Sequence, residues 1–336
     1  MKYEILEKNM ENYNLHIVRS PLQLINVVEA IKTMALKNNI LIMIGRPSET
    51  NNRQIEDVLK VINYQWRKIY YVEKTSKSNF IAYVRLIKEI KKLSFENIFI
   101  GEIDTINTVI IANVNYKNVF LVDDGASTIK RHNELLKEKK VSFREKMKFL
   151  RFKLFGLKGY KPYKINFFSF FDLEQKSDEI IVKNDFKNLK NNFQFEKNYS
   201  NNVYILGQPL YNKQITEETY INGLCKIFDY YKDKDFIYLK HRYEKPTATI
   251  LDFLEIRAKV VQNQYPIEFD FLLKQEYPKY ITGFFSTALY TLDRMFSDAE
   301  IKAFYIEKEL FFNQENGEVV NECYDFFEKN NICIVK

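Results

Sequence analysis

The sequence predicts an α/β protein that contains two successive, mostly parallel β-sheets. Short apolar runs alternate with longer amphipathic runs, which is the pattern of strands and helices that take turns around a parallel sheet. This alternation lapses after Asp123 and resumes near Asn202, so the chain divides into two halves. With 336 residues, of which 46% are hydrophobic, the chain can bury the cores of two domains of ordinary size.

In the first half, apolar runs that fit strands are separated by segments that fit helices. The first run is followed by Ser20, a residue type that caps helices, and by Pro21, which suits a first helical turn. We expect these elements to form a first domain over residues 1–160 that ends in a basic helix. The strands predicted in this half are residues 15–18, 40–45, 68–72, 97–101 and 118–122.

The second half begins after an aromatic, asparagine-rich connection that we place at residues 161–200. The pattern then predicts a second domain over residues 201–336. Ligands of open parallel sheets bind at the carboxyl ends of the strands, so we expect the functional residues to follow the strands. The strands predicted in this half are residues 202–207, 235–241, 258–261, 279–283, 301–306 and 332–335.

The composition excludes several classes of protein. Three cysteines and three histidines, all widely spaced, indicate neither a disulfide framework nor a zinc site. The N-terminal sequence lacks the apolar core of a secretory signal, and no apolar run reaches the roughly 20 residues needed to cross a bilayer. We therefore expect a cytoplasmic protein.

Much of the basic charge lies in residues 143–164, where Lys and Arg alternate with Phe, Leu and Met at near-helical spacing. The formal net charge of the whole chain is +7. Two interpretations of the segment are open: a basic amphipathic helix that makes peripheral contact with the anionic inner membrane, or a solvated helix that packs on its own domain. No recognisable nucleic-acid-binding module accompanies it, so nucleic acid is not an expected partner.

The candidate functional residues are polar side chains and glycines at the ends of predicted strands. Within one parallel sheet these positions share an edge, so the side chains can converge without being adjacent in sequence. For the hydroxyl and carboxylate residues, a structural role as a helix cap stands beside the functional one. The candidates are Arg19, Ser20, Gln23, Gly101, Asp123, Asp124, Gly125, Gln208, Lys240, His241, Ser286 and Thr287.

Together these motifs resemble the bacterial sialyltransferases of glycosyltransferase family 52. The matching stretches occur in the family's order: SPLQL after the first strand, DDGAS after the fifth, GQP at the start of the second half, and then LKHR, YPIEF and FFSTAL. The resemblance extends over most of the chain. Related bacterial sialyltransferases carry a histidine-proline motif, whereas here His241 is followed by Arg242.

The resemblance implies a GT-B architecture, in which two Rossmann-like domains face each other across a deep cleft. It also implies inverting, metal-independent transfer of sialic acid from CMP-sialic acid (CMP-Neu5Ac) to a terminal galactose. We expect an α-2,3 linkage to a bacterial surface glycan such as lipooligosaccharide or capsule polysaccharide. No cofactor is expected, and the family implies a homodimer.

Displacement at the sialyl anomeric carbon needs a base that takes the proton of the acceptor hydroxyl, and a carboxylate at a strand end suits this role. We assign the role to Asp124. Asp123 either raises the proton affinity of Asp124 or points the other way, and Gly125 allows a sharp turn behind them. Glu217 and Glu218 are the reserve candidates for the base.

The departing CMP needs hydrogen-bond donors for its phosphate, whose charge grows as the bond breaks. His241 as an imidazolium, with Ser286 and Thr287 at a helix N-terminus, is the predicted phosphate cradle. Glu268, in YPIEF, either accepts hydrogen bonds from the ribose hydroxyls, as the resemblance also implies, or interacts with its helix dipole. The residues predicted to line the sialic-acid or acceptor side are Arg19, Ser20 and Gln23.

Three alternatives stay open at this point. The same architecture can serve a different nucleotide sugar. The chain can be a non-catalytic protein whose basic segment binds anionic lipid or polysaccharide. The doubled aspartate can hold a divalent cation, although DDG lacks the Asp-x-Asp spacing and no second acidic cluster is obvious, so we rank a metal site below the base.

Overall fold

In the computed structural model of the chain, the described residues are 12–73, 79–125, 127–134, 143–192, 199–274 and 277–336. The chain divides into two compact units, Met1–Asn184 and Asp185–Lys336. Each unit contains one parallel sheet whose strands alternate with helices along the chain. The predicted class of two Rossmann-like α/β domains is confirmed.

The first unit contains a seven-stranded sheet with the order β3-β2-β1-β4-β5-β6-β7, in which all neighbouring strands are parallel. Its strands are β1 (Tyr13–Val18), β2 (Asn39–Ile44), β3 (Lys68–Val72), β4 (Ser94–Ile100), β5 (Asn115–Val122), β6 (Asn166–Ser169) and β7 (Ile181–Lys183). Its helices are α1 (Pro21–Thr33), α2 (Glu49–Ile62), α3 (Asn79–Ile90), α4 (Thr105–Asn113), α5 (Ser127–Asn133) and α6 (Phe143–Lys153).

The second unit contains a six-stranded parallel sheet with the order β10-β9-β8-β11-β12-β13. Its strands are β8 (Tyr199–Leu206), β9 (Phe236–Lys240), β10 (Lys259–Gln262), β11 (Tyr277–Gly283), β12 (Glu300–Phe304) and β13 (Cys333–Val335). Its helices are α7 (Lys187–Asn192), α8 (Glu217–Tyr230), α9 (Ala248–Glu255), α10 (Ile267–Lys274), α11 (Thr287–Met295) and α12 (Gln314–Lys329).

Both sheets have a topological switch point beside their first strand. In the first unit β1 lies between β2 and β4, and in the second unit β8 lies between β9 and β11. Ile17 on β1 pairs with Ile42 on β2 and with Ile100 on β4, so these three strands end close to one another. Open parallel sheets bind ligands at this position, outside the carboxyl ends of the strands next to the switch point.

The helices begin where the sequence offers a cap. The Ser20 hydroxyl accepts a hydrogen bond from the Gln23 backbone N–H, and Pro21 is the first residue of α1, as predicted. Ser48, Asp104 and other Ser, Thr and Asn residues cap further helices in the same way. None of the helices within the described ranges is long and apolar enough to cross a membrane.

The strands predicted from the sequence are all present, but the expected connecting segment 161–200 is not a simple linker. Residues 166–169 and 181–183 form β6 and β7, which extend the first sheet, so the first unit continues past the predicted boundary at residue 160 to Asn184. The reason is burial, because Phe167 and Phe168 on β6 are fully inaccessible to solvent. An apolar pair this short lies below the length at which a periodic pattern is recognisable.

Gly101, the first residue after β4, packs directly against the side chain of Gln23 on α1. A Cβ atom added at Gly101 would overlap the Cγ, Cδ and Oε1 atoms of Gln23. The Gln23 side chain has no free space to retreat, because it is fully buried and its Oε1 accepts a 2.7 Å hydrogen bond from the Arg19 backbone N–H. The turn after β4 therefore needs a residue without a side chain.

We expect Gly101→Ala to lower the free energy of unfolding by about 1–3 kcal/mol, because the added methyl group overfills a closed site. Urea denaturation at neutral pH measures this change. Gln23→Ala removes the obstacle, so Gly101→Ala should cost much less in that background. An equal loss of stability in both backgrounds would show that Gln23 does not impose the constraint.

Candidate functional site

The carboxyl edge of the first sheet gathers charged side chains from four different strand ends. Arg19 follows β1, Arg46 follows β2, Glu102 and Asp104 follow β4, and Asp124 follows β5. Ion pairs link all five side chains into one group, which we call the first-sheet cluster. Arg19 and Asp124, which the sequence predicts at this edge, do lie together there.

Arg19 occupies the buried side of the first-sheet cluster. Its side chain is almost fully inaccessible, and its Nη1 lies 2.6 Å from Asp104 Oδ2 and 3.8 Å from Glu102 Oε2. Its Nη2 lies 3.5 Å from Asn107 Oδ1, and its backbone carbonyl accepts a 2.9 Å hydrogen bond from Asn51 Nδ2. Arg19 therefore holds the two acidic residues after β4 in place, and it does not line the sugar side as the sequence had led us to expect.

Gln23 and Gly101 are also buried behind the edge. Gln23 has no access to solvent, and it joins the β1–α1 turn to the turn after β4 through its contacts with Arg19 and Gly101. The expectation that these two residues contact substrate is corrected in this structure, because both lie under the surface. Their role is to set the course of the backbone that presents Ser20.

Ser20 and Arg46 hold the two oxygens of the Asp124 carboxylate. The Ser20 hydroxyl donates a 2.8 Å hydrogen bond to Asp124 Oδ1, while Arg46 Nη2 lies 3.4 Å from Asp124 Oδ2 and also pairs closely with Glu102. The Asp124 side chain keeps 19% of its surface exposed. The result is a carboxylate with a fixed orientation on a side chain that is partly accessible to solvent, as a proton acceptor requires.

Arg46 is a site residue that the sequence reasoning missed. It follows the second strand in the stretch IGRPS, in the same strand-end position as the residues that were selected. Its backbone is fixed by Asn52, whose Oδ1 accepts from the Arg46 N–H at 2.9 Å and whose Nδ2 donates to the Arg46 carbonyl at 2.8 Å. The rule of examining every strand end would have found it.

Asp123 has partners different from those of Asp124. It is fully buried, and its carboxylate accepts hydrogen bonds from the Ser169 hydroxyl at 2.8 Å and from the Phe170 backbone N–H at 2.6 Å. These bonds tie the end of β5 to the end of β6. Burial raises the pKa of Asp123 to about 7, although the two hydrogen bonds oppose the rise.

Asp123 thus has a structural role and does not face Asp124, which decides between the two orientations that the DDG motif left open. Gly125 directly follows the pair with a φ of +77°, a left-handed conformation that favours glycine. The predicted sharp turn behind Asp124 is present. The sequence left open whether Asp123 faces Asp124, and its hydrogen bonds to Ser169 and Phe170 answer that question.

In the second unit, Gln208 joins the loops that follow the two strands at the switch point. Its side-chain Oε1 accepts a 3.2 Å hydrogen bond from the Phe285 N–H, and its own N–H donates to the Tyr220 hydroxyl at 3.2 Å. Gln208 is 8% exposed, so its amide group is committed to holding the loop after β11. It shapes the site and does not present a free side chain.

A buried carboxyl group that the sequence reasoning missed, Glu244, organises the turn after β9. It accepts hydrogen bonds from the hydroxyls of Tyr238 at 2.5 Å and Tyr211 at 3.1 Å, and from the His241 backbone N–H at 2.9 Å. Burial raises the pKa of Glu244. The position of His241 therefore depends on this network, which joins the end of β9 and its turn to the distant Tyr211. The sequence alone does not reveal that these side chains meet.

His241 is neutral in this structure, which corrects the expected imidazolium. Burial lowers the pKa of its imidazole to about 4, and the nearby positive charges of Arg242 and Lys213 act in the same direction. Its Nδ1 lies 3.2 Å from the Tyr243 backbone N–H and accepts that hydrogen. The ring hydrogen consequently resides on Nε2, which makes His241 an uncharged donor.

The remaining candidates of the second unit lie around the carboxyl edge of its sheet. Ser286 caps α11 by accepting the Ala288 N–H at 3.3 Å, and Thr287 is the first residue of that helix. Glu268 lies in the first turn of α10. Its pKa is raised by burial, although the positive charge of Arg242 opposes the rise. Lys240 ends β9 directly before His241 and is half-buried.

Arg242, which directly follows His241, has an environment that the sequence did not reveal. Its guanidinium carbon lies 5.1 Å from the centre of the Tyr243 ring. Its Nε is buried and has no hydrogen-bond partner within the described residues. A cation with an unused donor is suited to an anionic ligand.

The reserve bases lie at the start of α8. Glu217 accepts a 2.5 Å hydrogen bond from Asn212 Nδ2. Glu218 is exposed and, together with Lys226, Tyr305 and other residues, lines a cavity of about 310 Å³ in the second unit. Neither glutamate belongs to the first-sheet cluster. Across the described ranges, no group of three or more His, Cys, Asp and Glu side chains is arranged to hold a metal ion.

Comparison with known proteins identifies the fold. No protein-family model matches the sequence, and no curated protein matches it. A protein described as a UDP-N-acetylglucosamine 2-epimerase from Listeria monocytogenes is 12% identical and has a TM-score of 0.51. The match covers 95% of this chain and 89% of that chain.

Two further solved structures align less closely. MnaA from S. aureus, solved with UDP, is 12% identical over 94% of this chain and 88% of its own, with a TM-score of 0.49. MurG from Acinetobacter baumannii is 9% identical over 96% and 85%, with a TM-score of 0.44. At these identities the comparisons concern the fold alone. The strand orders and the Listeria match together establish the GT-B fold of the chain.

The raised pKa of Asp123 predicts a specific dependence of stability on pH. Because burial raises the folded pKa to about 7, whereas an ordinary Asp carboxyl has a pKa of about 4, the buried carboxyl stabilises the fold at low pH. It loses this contribution as the pH rises from about 4 to about 7. Relative to Asp123→Asn, the wild type should lose roughly 2–3 kcal/mol of unfolding free energy between pH 5 and 8. Urea titrations of both proteins across this range measure the difference. A difference that stays constant with pH would contradict the assignment.

Proposed function

We propose that the protein is an inverting, metal-independent sialyltransferase that moves sialic acid from CMP-sialic acid to a terminal galactose of a bacterial surface glycan. The GT-B fold supports a glycosyl-transfer enzyme that takes a nucleotide sugar. The ordered motifs of the sequence, from SPLQL to FFSTAL, support the choice of sialic acid and CMP. The α-2,3 linkage, the lipooligosaccharide or capsule acceptor and the cytoplasmic location belong to the same proposal.

The observation that carries the proposal is the geometry of Asp124. Its carboxylate is held at a strand end by Ser20 and Arg46, and 19% of its side-chain surface is exposed. In the proposed step Asp124 takes the proton of the acceptor hydroxyl as the acceptor oxygen bonds to the anomeric carbon. The bond from that carbon to the CMP phosphate breaks, and its electron pair leaves with the phosphate. One displacement of this kind inverts the anomeric centre.

The second unit supplies the proposed donor site. The Nε2–H of neutral His241, the guanidinium of Arg242 and the N-terminus of α11 at Ser286 and Thr287 are hydrogen-bond donors suited to a phosphate. The charge on the phosphate grows in the transition state, so these donors bind it more strongly there than in the ground state. We propose that Glu268 accepts hydrogen bonds from the ribose hydroxyls. Lys240 is proposed to add a further positive charge to this site.

A second candidate keeps the fold and changes the donor. The Listeria protein is described as an enzyme of a UDP-sugar, so a uridine nucleotide is the alternative donor that we name. The likeness is one of fold alone, so it does not decide which nucleobase the donor nucleotide carries. A third candidate is a non-catalytic protein that acts through its basic segment, in which case neither Asp124 nor His241 has a chemical role.

The first test measures transfer and the role of Asp124 together. Incubation with CMP-sialic acid and a lactoside in EDTA should give sialyl-lactoside and free CMP. Asp124→Asn should lower kcat by about 10²- to 10⁴-fold, the usual contribution of a general base, while Glu217→Gln and Glu218→Gln should stay close to the wild type. If a glutamate variant lost activity while Asp124→Asn kept the activity of the wild type, the catalytic base would be the glutamate on α8. Absence of both products from the wild-type enzyme would count against a sialyltransferase.

The second test separates donor binding from chemistry by thermal shift. A ligand that binds only the folded state at about 100 times its Kd stabilises the protein by about 2.7 kcal/mol, so CMP should raise the melting temperature. Asp124→Asn should keep this shift, whereas His241→Ala and Arg242→Gln should reduce it. Protection by UDP and not by CMP would establish the alternative donor. Protection by neither nucleotide would favour the non-catalytic candidate.

A further inference from the structure

Helix α6 carries an apolar surface that none of the proposed site residues uses. Met147 and Leu150 on the helix and Leu154 directly after it are 51%, 46% and 79% exposed. Their spacing of three and four residues places them in one row on one face of the helix. Apolar side chains scattered singly over a surface need no explanation, but an exposed row does. We call these three side chains the apolar stripe.

The apolar stripe is not the face by which α6 attaches to its own unit. Phe149 and Phe152 are buried in the core of the first unit, and the centre of the Phe152 ring lies 4.8 Å from that of the tilted Phe80 ring. At about 100° per residue, these two phenylalanines point to the side of the helix roughly opposite the stripe. The helix is therefore already packed, and the stripe is a second apolar face left in solvent.

The backbone after α6 is anchored as well. The Asn113 side chain at the end of α4 accepts a 2.8 Å hydrogen bond from the Lys158 N–H and donates one of 2.7 Å to the Lys158 carbonyl. Leu157 is buried in the same core. These contacts fix the direction in which the stripe faces, so it presents a defined surface.

Basic side chains flank the apolar stripe on both sides. By helical position, Lys148 and Arg151 lie along one side and Lys146 and Lys153 along the other, and all four are exposed. With Lys158 and Lys161 the sequence from 146 to 161 has six basic residues and no acidic one. The charge of this surface is therefore uniform in sign.

We propose that this face of α6 docks on an anionic lipid bilayer, with the apolar stripe in the boundary of the acyl chains and the flanking cations among the headgroups. A narrow apolar row between two rows of cations matches the layering of such a surface. A protein partner fits less well, because protein interfaces are depleted in lysine. The proposal does not depend on the reaction assigned above, since it uses none of the site residues.

The test is flotation of the purified full-length protein with vesicles. Vesicles of phosphatidylcholine with an equal part of phosphatidylglycerol should carry the protein, and vesicles of phosphatidylcholine alone should not. Each lysine near such a surface contributes about fivefold to binding, so the triple variant should bind about 100-fold more weakly at low salt. That variant combines Lys146→Gln, Lys148→Gln and Lys153→Gln.

A second variant tests the apolar stripe, and two controls match the variants. Replacing all three stripe residues by serine should abolish the binding that persists at high salt, where charge is screened. Ile256→Ser removes an equally exposed apolar side chain, 79% accessible, from the second unit and should have no effect. The matched charge control, which should keep most of the binding, replaces exposed lysines of the second unit by glutamine at Lys232, Lys259 and Lys329.

Any one of three results would overturn the proposal. The first is a wild type that fails to float with anionic vesicles, and the second is a stripe variant that floats as well as the wild type. The third is a charge control that loses as much binding as the α6 charge variant. A stripe variant that changes only the oligomeric state by light scattering would identify the face as a contact between two copies of the chain. Transfer to a soluble lactoside, measured on the same preparations, keeps this outcome separate from the outcome for the sialyltransferase.

Discussion

The Arg19 guanidinium is a positive charge with almost no access to water. The carboxylates that neutralise it fix the arrangement of the charged side chains at the carboxyl edge of the first sheet. A buried charge is tolerated only when it is paired and hydrogen-bonded. Asp104 and Glu102 supply the pairing, and Glu102 then faces Arg46, which reaches Asp124. The formal charges of the five side chains are two positive and three negative. The cluster thus has one more carboxylate than it has cations, and Arg46 Nη2 lies 3.4 Å from Asp124 Oδ2.

Two adjacent aspartates divide two tasks between them because neighbouring residues at a strand end project in different directions. Asp123 turns into the protein, where it joins β5 to β6 through Ser169 and Phe170. Asp124 turns toward the edge, where Ser20 and Arg46 orient it. The first carboxyl stabilises the turn on which the second is presented. In the DDG motif, Asp123 therefore has a structural role, and Asp124 is the candidate catalytic residue.

Much of the fold could be predicted because the strands of parallel sheets have a recognisable sequence pattern. Strands such as β1 and β2 are buried almost throughout, so they appear in the sequence as mostly apolar runs between amphipathic helices. β6 and β7 could not be recognised, because they have only four and three residues and follow an aromatic segment. Their place in the sheet is decided by contacts of Phe167 and Phe168 with the rest of the unit, and not by local pattern.

The candidate site was predictable by position and less so by environment. The strand-end rule correctly gathered Arg19, Ser20 and Asp124 at one edge, but it did not reveal that Arg19 is buried. Burial arises from the packing of several segments, and it also decides the uncharged state of His241. Glu244 was overlooked for the same reason, since its burial depends on the distant Tyr211 as well as on Tyr238 of the preceding strand.

The central claim is that Asp124 receives the proton of the acceptor. A crystal structure with an inert CMP-sialic acid analogue and a lactoside tests it most directly, through the distance from the Asp124 carboxylate to the acceptor hydroxyl. The account predicts hydrogen-bond contact, about 2.6–3.2 Å, between these atoms. A sugar bound with its hydroxyl against Glu217 or Glu218, and with Asp124 facing only Ser20 and Arg46, would contradict it.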